Sequence, residues 1–582
     1  MRNDLFRRKD ISAAIASETN EANRSLLKRA LGLRDLTAMG IAAVIGAGIF
    51  STIGSAAAAG GPGVSLLFVF TAIACGFSAL CYAQFASMVP VAGSAYTYSY
   101  VAFGELVAWI IGWDLILEYA IGNVVVAISW SEYFTTLINT GLGRVDLHFP
   151  EYLSSDYGSV KSGFFQAIEG VRSGIPFQSL DQPLQVAYNT WLSAPVIGGL
   201  KIIFDLPALG IIALVTYLVY IGIKDTRNAN NVLVALKLIV IITVIVVGAW
   251  FVDMDNWSPF APNGMKGILS GVSAVFFAFI GFDAISTTAE ECKDPQRDLP
   301  RSIMYSLVIC TVLYVIIALV LTGMVPYTNL DVSDPLAYVF SRVGMEWMSG
   351  VVAVSAIIAM AGVLLVFQLG QPRIWMSMSR DGLLPGVFSR IHPKHRTPSF
   401  ATIVTGFVVA VPVFLFDQSQ LTDLTSIGTL FAFMLVCGGV LIISQRKDLP
   451  ESRFKVPYFD SMIVLPCIAA IIIAGLWIAD YSNQIEITSG TFKELYTKEY
   501  LQDNVPLLIF IVVGVPVIIA SMIKRWSAIP VLGMLSCLYL MSELGISNWI
   551  RFGIWLGIGL LVYFVYGRNN SKLARKTSPA QL

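Results

Sequence analysis

The chain has 582 residues, of which 56% are hydrophobic and only 13% charged, with 38 Lys and Arg against 38 Asp and Glu. A mean hydropathy of +0.72 means more apolar surface than a soluble core can hide, which excludes a water-soluble domain and points to an integral membrane protein. The formal net charge of zero gives no support to nucleic-acid binding.

Fourteen apolar runs fit helices crossing about 30 Å of hydrocarbon: 36–61, 64–88, 105–138, 207–223, 229–251, 267–289, 302–323, 347–378, 399–416, 422–444, 459–479, 505–523, 527–543 and 547–566. Their hydrophobicity is continuous and lacks the two-residue alternation of an outer-membrane barrel, so the predicted fold is all-α and polytopic. Segment 1–35 is polar and basic and shows no signal-peptide pattern, so the first span is expected to direct insertion. An even number of spans puts both termini on one side. Most Lys and Arg then fall in segments on that side, among them Arg7, Arg8, Lys9, Arg446, Lys447, Lys524, Arg525 and the tail 567–582, which predicts cytoplasmic termini. The long polar connection 139–206 is expected to be a partly ordered external cap, and 480–504 a shorter charged outer loop.

None of the seven cysteines falls in an outer segment, so no structural disulfide is expected. His148, His392 and His395 lie outside the spans and no C-x-x-C pattern occurs; neither a metal nor a cofactor is expected. No phosphate-binding G-x-x-x-x-G-K-[ST] loop is present to power a pump, and no catalytic cluster suggests an enzyme.

Two spans are interrupted near their middles. The first reads IGAGIFSTIGSAAAAGG, with Gly46 and Gly48; the sixth reads FFAFIGFDAISTTAEE, with Gly281 before Asp283. Gly-interrupted segments at corresponding places in two halves point to a transporter site at the bilayer midplane. The halves would be residues 36–251 and 267–444, a five-plus-five inverted repeat, followed by four additional helices in 459–566. At such breaks, freed N–H groups can hold a carboxylate and freed carbonyls can accept from an ammonium, so a ligand offering both groups is an amino acid.

The fifth span, NNVLVALKLIVIITVIVVGAW, buries Lys237 with no acid in the segment. Intramembrane lysines are costly and usually face a partner, a cavity or a pathway. Burial disfavours the charged form of an ammonium, which brings gain and loss of one proton near neutral pH within reach. Snorkelling toward an interface, or pairing with Glu118, is the alternative.

The runs LCYAQFASMVPVAGSAYTYSYVAFGELVAWIIGWDLILEY (80–119), FFAFIGFDAISTTAEECKDPQRDLP (276–300) and SRDGLLP (379–385) resemble the cationic amino acid transporter family of the amino acid–polyamine–organocation superfamily. The resemblance implies a LeuT-type fold and a secondary active amino acid permease that needs only substrate, protons and a lipid bilayer, with no partner subunit. It places the substrate backbone at Ile45, Gly46, Ala47, Gly48, Phe277, Ala278 and Ile280, with Phe277 as an outer gate. It implies proton coupling at Lys237, as a substitute for a bound sodium, and at Glu118. Asp283 is implied as a gate or tether, and Asp114 as a helix partner. Phe367, in VLLVFQLGQPR, stands where cation-selective relatives carry a small residue, which favours neutral substrates. Gln84 replaces a family acid, so a mechanism using that carboxylate does not transfer. A bacterial inner membrane is expected. Obligatory exchange, and less so a non-transporting nutrient sensor, remain the alternatives to symport.

Overall fold

The structure is a computed structural model that describes residues 5–9, 31–89, 93–141, 149–222, 226–332, 334–416, 418–446, 452–471 and 504–577. His148 and all but the last residue of the loop 480–504 lie outside the described residues.

Among the described residues the architecture is helical apart from one short hairpin. Nine helices are long and apolar enough to cross a bilayer, and four shorter apolar ones, Leu206–Ile221, Ser399–Phe414, Ser461–Ile471 and Ala528–Ser542, coincide with further expected spans. The chain is an all-helical, multi-span membrane protein.

Both expected interruptions are present. The first span is a helix over Leu33–Val44 that stops at Ile45, whose backbone is extended (φ −78°, ψ 99°). It resumes as a wide π-type turn over Gly48–Thr52 and a helix over Ile53–Gly60. The sixth span runs as helix over Val272–Phe277 and breaks at Gly281, whose φ of 115° favours a residue without a Cβ. It continues as a tight 3-10 stretch over Phe282–Glu291.

The two breaks cross in contact. A Cβ on Gly48 would lie 2.3 Å from the Cα of Ala278, and one on Gly281 would lie 2.9 Å from the carbonyl oxygen of Ala43. Glycine is therefore required by close approach at both positions, and at Gly281 by backbone conformation as well.

Two long helices frame this crossing: the third span, Glu105–Thr136, and the eighth, Glu346–Arg380. The last long helix, Ile546–Val562, is fastened to the third span by indoles: Trp113 stacks on Trp555 at 4.7 Å, and Trp109 Nε1 donates to the Gly559 carbonyl at 2.8 Å. Apolar contact cannot favour helix over lipid, so such packing and hydrogen bonding hold the added helices.

The described segments nearest the two ends of the sequence, 5–9 and 571–577, meet around Asp381 and Glu105. Lys9 Nζ pairs with Asp381 at 3.0 Å, and the Lys572 N–H donates to the Asp381 carbonyl at 3.0 Å. Glu105 accepts from the Tyr100 and Tyr563 hydroxyls at 3.0 Å each, and from Ser571. Within the expected cap, the described segment 149–205 carries two helices and a hairpin. Its helices Tyr157–Arg172 and Gln182–Ser193 pack through Phe164, which stacks on Tyr188 and Trp191.

Candidate functional site

Ending a helix at Val44 leaves carbonyls with no intrahelical partner, at the negative end of the helix dipole. Three of them are taken by side chains from the surrounding scaffold. Lys237 Nζ, 1% exposed on the helix Thr226–Ala249, donates to the carbonyls of Ala42 at 3.3 Å and Ile45 at 3.2 Å. It also donates to Ala359 of the eighth span at 3.4 Å, so one ammonium bridges fifth, first and eighth spans. The Tyr314 hydroxyl, from the helix Pro295–Met324, donates to the Val44 carbonyl at 2.8 Å. Lys237 neither snorkels nor pairs with Glu118; it points inward at backbone. A helix C-terminus with freed carbonyls is where a cation is favoured, and an ammonium with three protons can serve three acceptors at once.

Beyond the break, the Tyr133 hydroxyl donates to the Phe50 carbonyl, and Thr52 Oγ1 donates to the Ala274 carbonyl at 3.2 Å. Gln418 Nε2 reaches Ser51 Oγ at 3.2 Å and Ser129 Oγ at 2.6 Å. Polar side chains thus stitch the resumed half of the first span to the third, sixth and tenth spans.

A cavity opens against this crossing, lined by Ala43, Val44, Gly46, Ala47 and Gly48 of the first span and by Phe277 and Ile280 of the sixth. Val126, Val363 and Phe367 close it down to about 10 Å³, room for about one water molecule. It offers main-chain groups on one wall and only apolar side chains on the others. Widened by a movement of the broken spans, such a lining would offer peptide groups to the charged backbone of an amino acid and apolar contact to its side chain.

Six of the residues expected to touch substrate line the cavity: Gly46, Ala47, Gly48, Phe277, Ile280 and Phe367. Ile45 and Ala278 do not; Ile45 gives its carbonyl to Lys237, and Ala278 is packed against Gly48. Val126 and Val363, which close the apolar wall, carried no sequence signal beyond membership of a span. Tyr314 and Tyr133 were also missed, because a hydroxyl on an apolar helix does not announce which distant carbonyl it will reach.

The expected acids stand outside the lining. Glu118 and Asp283 are neighbours close enough to repel each other, with Tyr82 and Tyr119 beside them, and Tyr119 packs 5.4 Å from Phe367. Both oxygens of Asp114 and one of Glu118 are buried with no hydrogen-bond donor in place among the described residues, while Asp283 has the Tyr119 hydroxyl and the backbone of the sixth-span break beside it. Asp114 lies against Gly428 of the tenth span. Gln84 serves the scaffold instead, where its Oε1 accepts from the Val456 N–H at 2.9 Å, which an amide does without charge. His392 and His395 pair with each other, rings 4.8 Å apart, beside Tyr220.

Residues 31–490 match the amino acid permease family, and residues 528–571 match the C-terminal segment described for amino acid permeases. The chain belongs to the amino acid permease family. It is a transporter and not an enzyme. The permease is 38% identical over 575 residues to the branched-chain amino acid permease BcaP of Bacillus subtilis (strain 168), covering 98% of this chain and 100% of that protein. It is 35% identical to the methylthioribose transporter of the same organism, over 98% and 99% of the two chains. A vacuolar cationic amino acid transporter 2 of Arabidopsis thaliana is 32% identical over 98% of the permease and 93% of its own length. Relatives with different substrates in their names are thus similar along nearly the whole chain.

The clasp on the first span carries its own prediction. Tyr314→Phe keeps the ring and removes the donor to Val44, and is expected to lower the initial uptake rate about fivefold, equivalent to about 1 kcal/mol. Uptake into proteoliposomes measures it; an unchanged rate shows that the hydroxyl is not part of the clasp.

Proposed function

We propose that this permease is a proton-coupled, sodium-independent symporter of neutral, apolar amino acids in a bacterial cell membrane, with both termini cytoplasmic. The observation that carries the reading is the bridge from Lys237 to Ala42, Ile45 and Ala359. An ammonium there does what a bound metal cation would do, and a proton can switch it. Charged, Lys237 holds the first span against the frame made by the fifth and eighth; neutral, it has lost one donor and its attraction to the helix end, and the first span is released. Alternating access then follows from movement of the broken spans about a LeuT-type, five-plus-five inverted repeat, with the four further helices as an addition.

Gly46, Ala47 and Gly48 hold the substrate carboxylate and ammonium together with the sixth-span break, and Phe277 closes over them. Glu118 moves protons between Lys237 and the side opposite the cap, and Asp283 tethers the lower half of the sixth span. Val126, Val363, Phe367 and Ile280 select the side chain. No carboxylate lines the cavity. A guanidinium or ammonium side chain would be desolvated there without a partner, which is costly, whereas a branched aliphatic chain loses nothing.

Competition against labelled leucine in proteoliposomes tests the specificity. Isoleucine and valine are expected to compete at least about tenfold better than arginine or lysine, a difference of about 1.4 kcal/mol. Equal competition by arginine refutes it. Coupling is tested with pH, sodium and voltage imposed independently. Uptake should follow the inward proton gradient and ignore sodium, and acceleration only by preloaded substrate would instead show exchange.

A further inference from the structure

The cap carries a two-stranded antiparallel hairpin, Val196–Ile197 against Leu200–Lys201, turned through Gly198 and Gly199. Both glycines have positive φ, 59° and 82°, the conformation of the tight turns that suit a hairpin's twist. Pairing puts Val196 opposite Lys201 and Ile197 opposite Leu200, and paired residues share a face. Lys201 sits over the Trp191 ring at 5.4 Å and donates to the Trp191 carbonyl, so its face turns toward the cap helix. The face of Ile197 therefore turns away from the cap.

That outward face is bare. Ile197 is 68% exposed there; on the Lys201 face Val196 is 59% exposed as well, and Leu192, where the cap helix ends, is 58% exposed. The sequence around the turn, PVIGGLKIIF, contains Lys201 as its only charge. The strands also sit close to the ends of two spans. Phe204 packs on Phe414, 6.3 Å between rings, at the end of the ninth span. Asp205 accepts from Ser131 of the third span at 2.6 Å and caps the fourth span through the Ala208 N–H at 2.9 Å. Leu206 lies six positions after Leu200, at most about 20 Å of extended chain. Leu206 and, on the ninth span, Leu415 and Phe416 are themselves exposed apolar residues at span ends. The exposed aliphatic residues of the hairpin thus stand a few residues of chain from apolar span ends. Trp191, a residue type that favours the boundary between lipid and water, stands beside the hairpin under Lys201.

We propose that the hairpin 196–201 is a lipid anchor, which sets its Ile197 face into the interfacial layer of the bilayer and holds the cap down on the membrane. Burial of exposed aliphatic surface drives the insertion, and the tight turn keeps backbone polar groups paired within the hairpin. The inference rests on the cap and not on the coupling mechanism, so neither stands or falls with the other.

Spin labelling of the full-length transporter in phosphatidylcholine–phosphatidylglycerol nanodiscs tests this. Cys467, the exposed cysteine, is first replaced (Cys467→Ser); the other six cysteines are buried. A label at Ile197→Cys should be relaxed several-fold more by oxygen, which concentrates in lipid, than by a water-soluble nickel chelate. A label at Gln166→Cys on the exposed cap helix should show the reverse. Gly198→Cys, at the turn where an added Cβ meets nothing within 4 Å, gives a second reading if the Ile197 variant fails to reach the membrane. Equal access of the nickel chelate to positions 197 and 166 overturns the proposal. So does protection of position 197 from both relaxants, which would place a protein partner on the hairpin.

Discussion

Lys237→Met is expected to abolish uptake driven by an imposed proton gradient, with initial rates in proteoliposomes falling at least about 100-fold, equivalent to about 2.7 kcal/mol. The thioether side chain fills nearly the same volume but donates nothing, so the carbonyls of Ala42, Ile45 and Ala359 lose their shared donor. An unsatisfied buried polar group costs about 1–3 kcal/mol, enough to loosen the first span from its frame. Lys237→Gln separates the two contributions of the lysine. Its amide can still donate to one or two of these carbonyls, so thermal stability in detergent should recover in part, while gradient-driven uptake should stay at the level of empty vesicles. A glutamine variant that concentrates substrate at the wild-type rate would mean that hydrogen bonding, and not a titratable charge, is what the site requires.

The second large effect is expected at Gly48→Ala. The added methyl would lie 2.3 Å from Ala278 Cα, 2.6 Å from its Cβ and 2.9 Å from its N. Two of these atoms are backbone and cannot turn aside, so the two broken spans must separate where they cross. Overpacking of this kind costs about 1–3 kcal/mol in a close-packed site, and uptake should fall more than about tenfold. Gly46→Ala is the internal comparison. Its methyl would meet Val363 Cγ2 at 2.7 Å, the tip of a side chain that can rotate, so the loss should be smaller and should appear as altered substrate affinity. Initial rates over a range of substrate concentrations distinguish the two. Equal rates for Gly48→Ala and the parent would show that the close crossing is dispensable.

The carboxylates beside Tyr119 are the least expected part of the site. The sequence places Glu118 and Asp283 at mid-span, and in the structure neither lines the cavity; Tyr119, beside both, packs on Phe367, which does. Helical periodicity tells which face of the third span Glu118 occupies. It does not tell which ring from the eighth span will pack on its neighbour Tyr119. The same limit explains Ile45 and Ala278: motif position marks them as part of the break, while the direction in which the broken backbone turns decides whether they meet ligand or scaffold.

Much was nonetheless determined by the sequence alone. The length and hydropathy of the apolar runs dictate a helical membrane protein, since a chain in hydrocarbon must satisfy its backbone internally. Gly46, Gly48 and Gly281 mark where two helices stop, and Lys237 marks a buried cation in need of acceptors. These are local properties, set by the residues themselves. Only the tertiary structure decided which acceptors Lys237 found, that Tyr314 and Tyr133 cap carbonyls far along the chain, and that the segments 5–9 and 571–577 converge on Asp381 and Glu105. It also decided that Val126 and Val363 shape the cavity. Such partnerships join residues tens to hundreds of positions apart, and they depend on how whole helices are shifted and rotated against one another, which the period of any single helix does not encode.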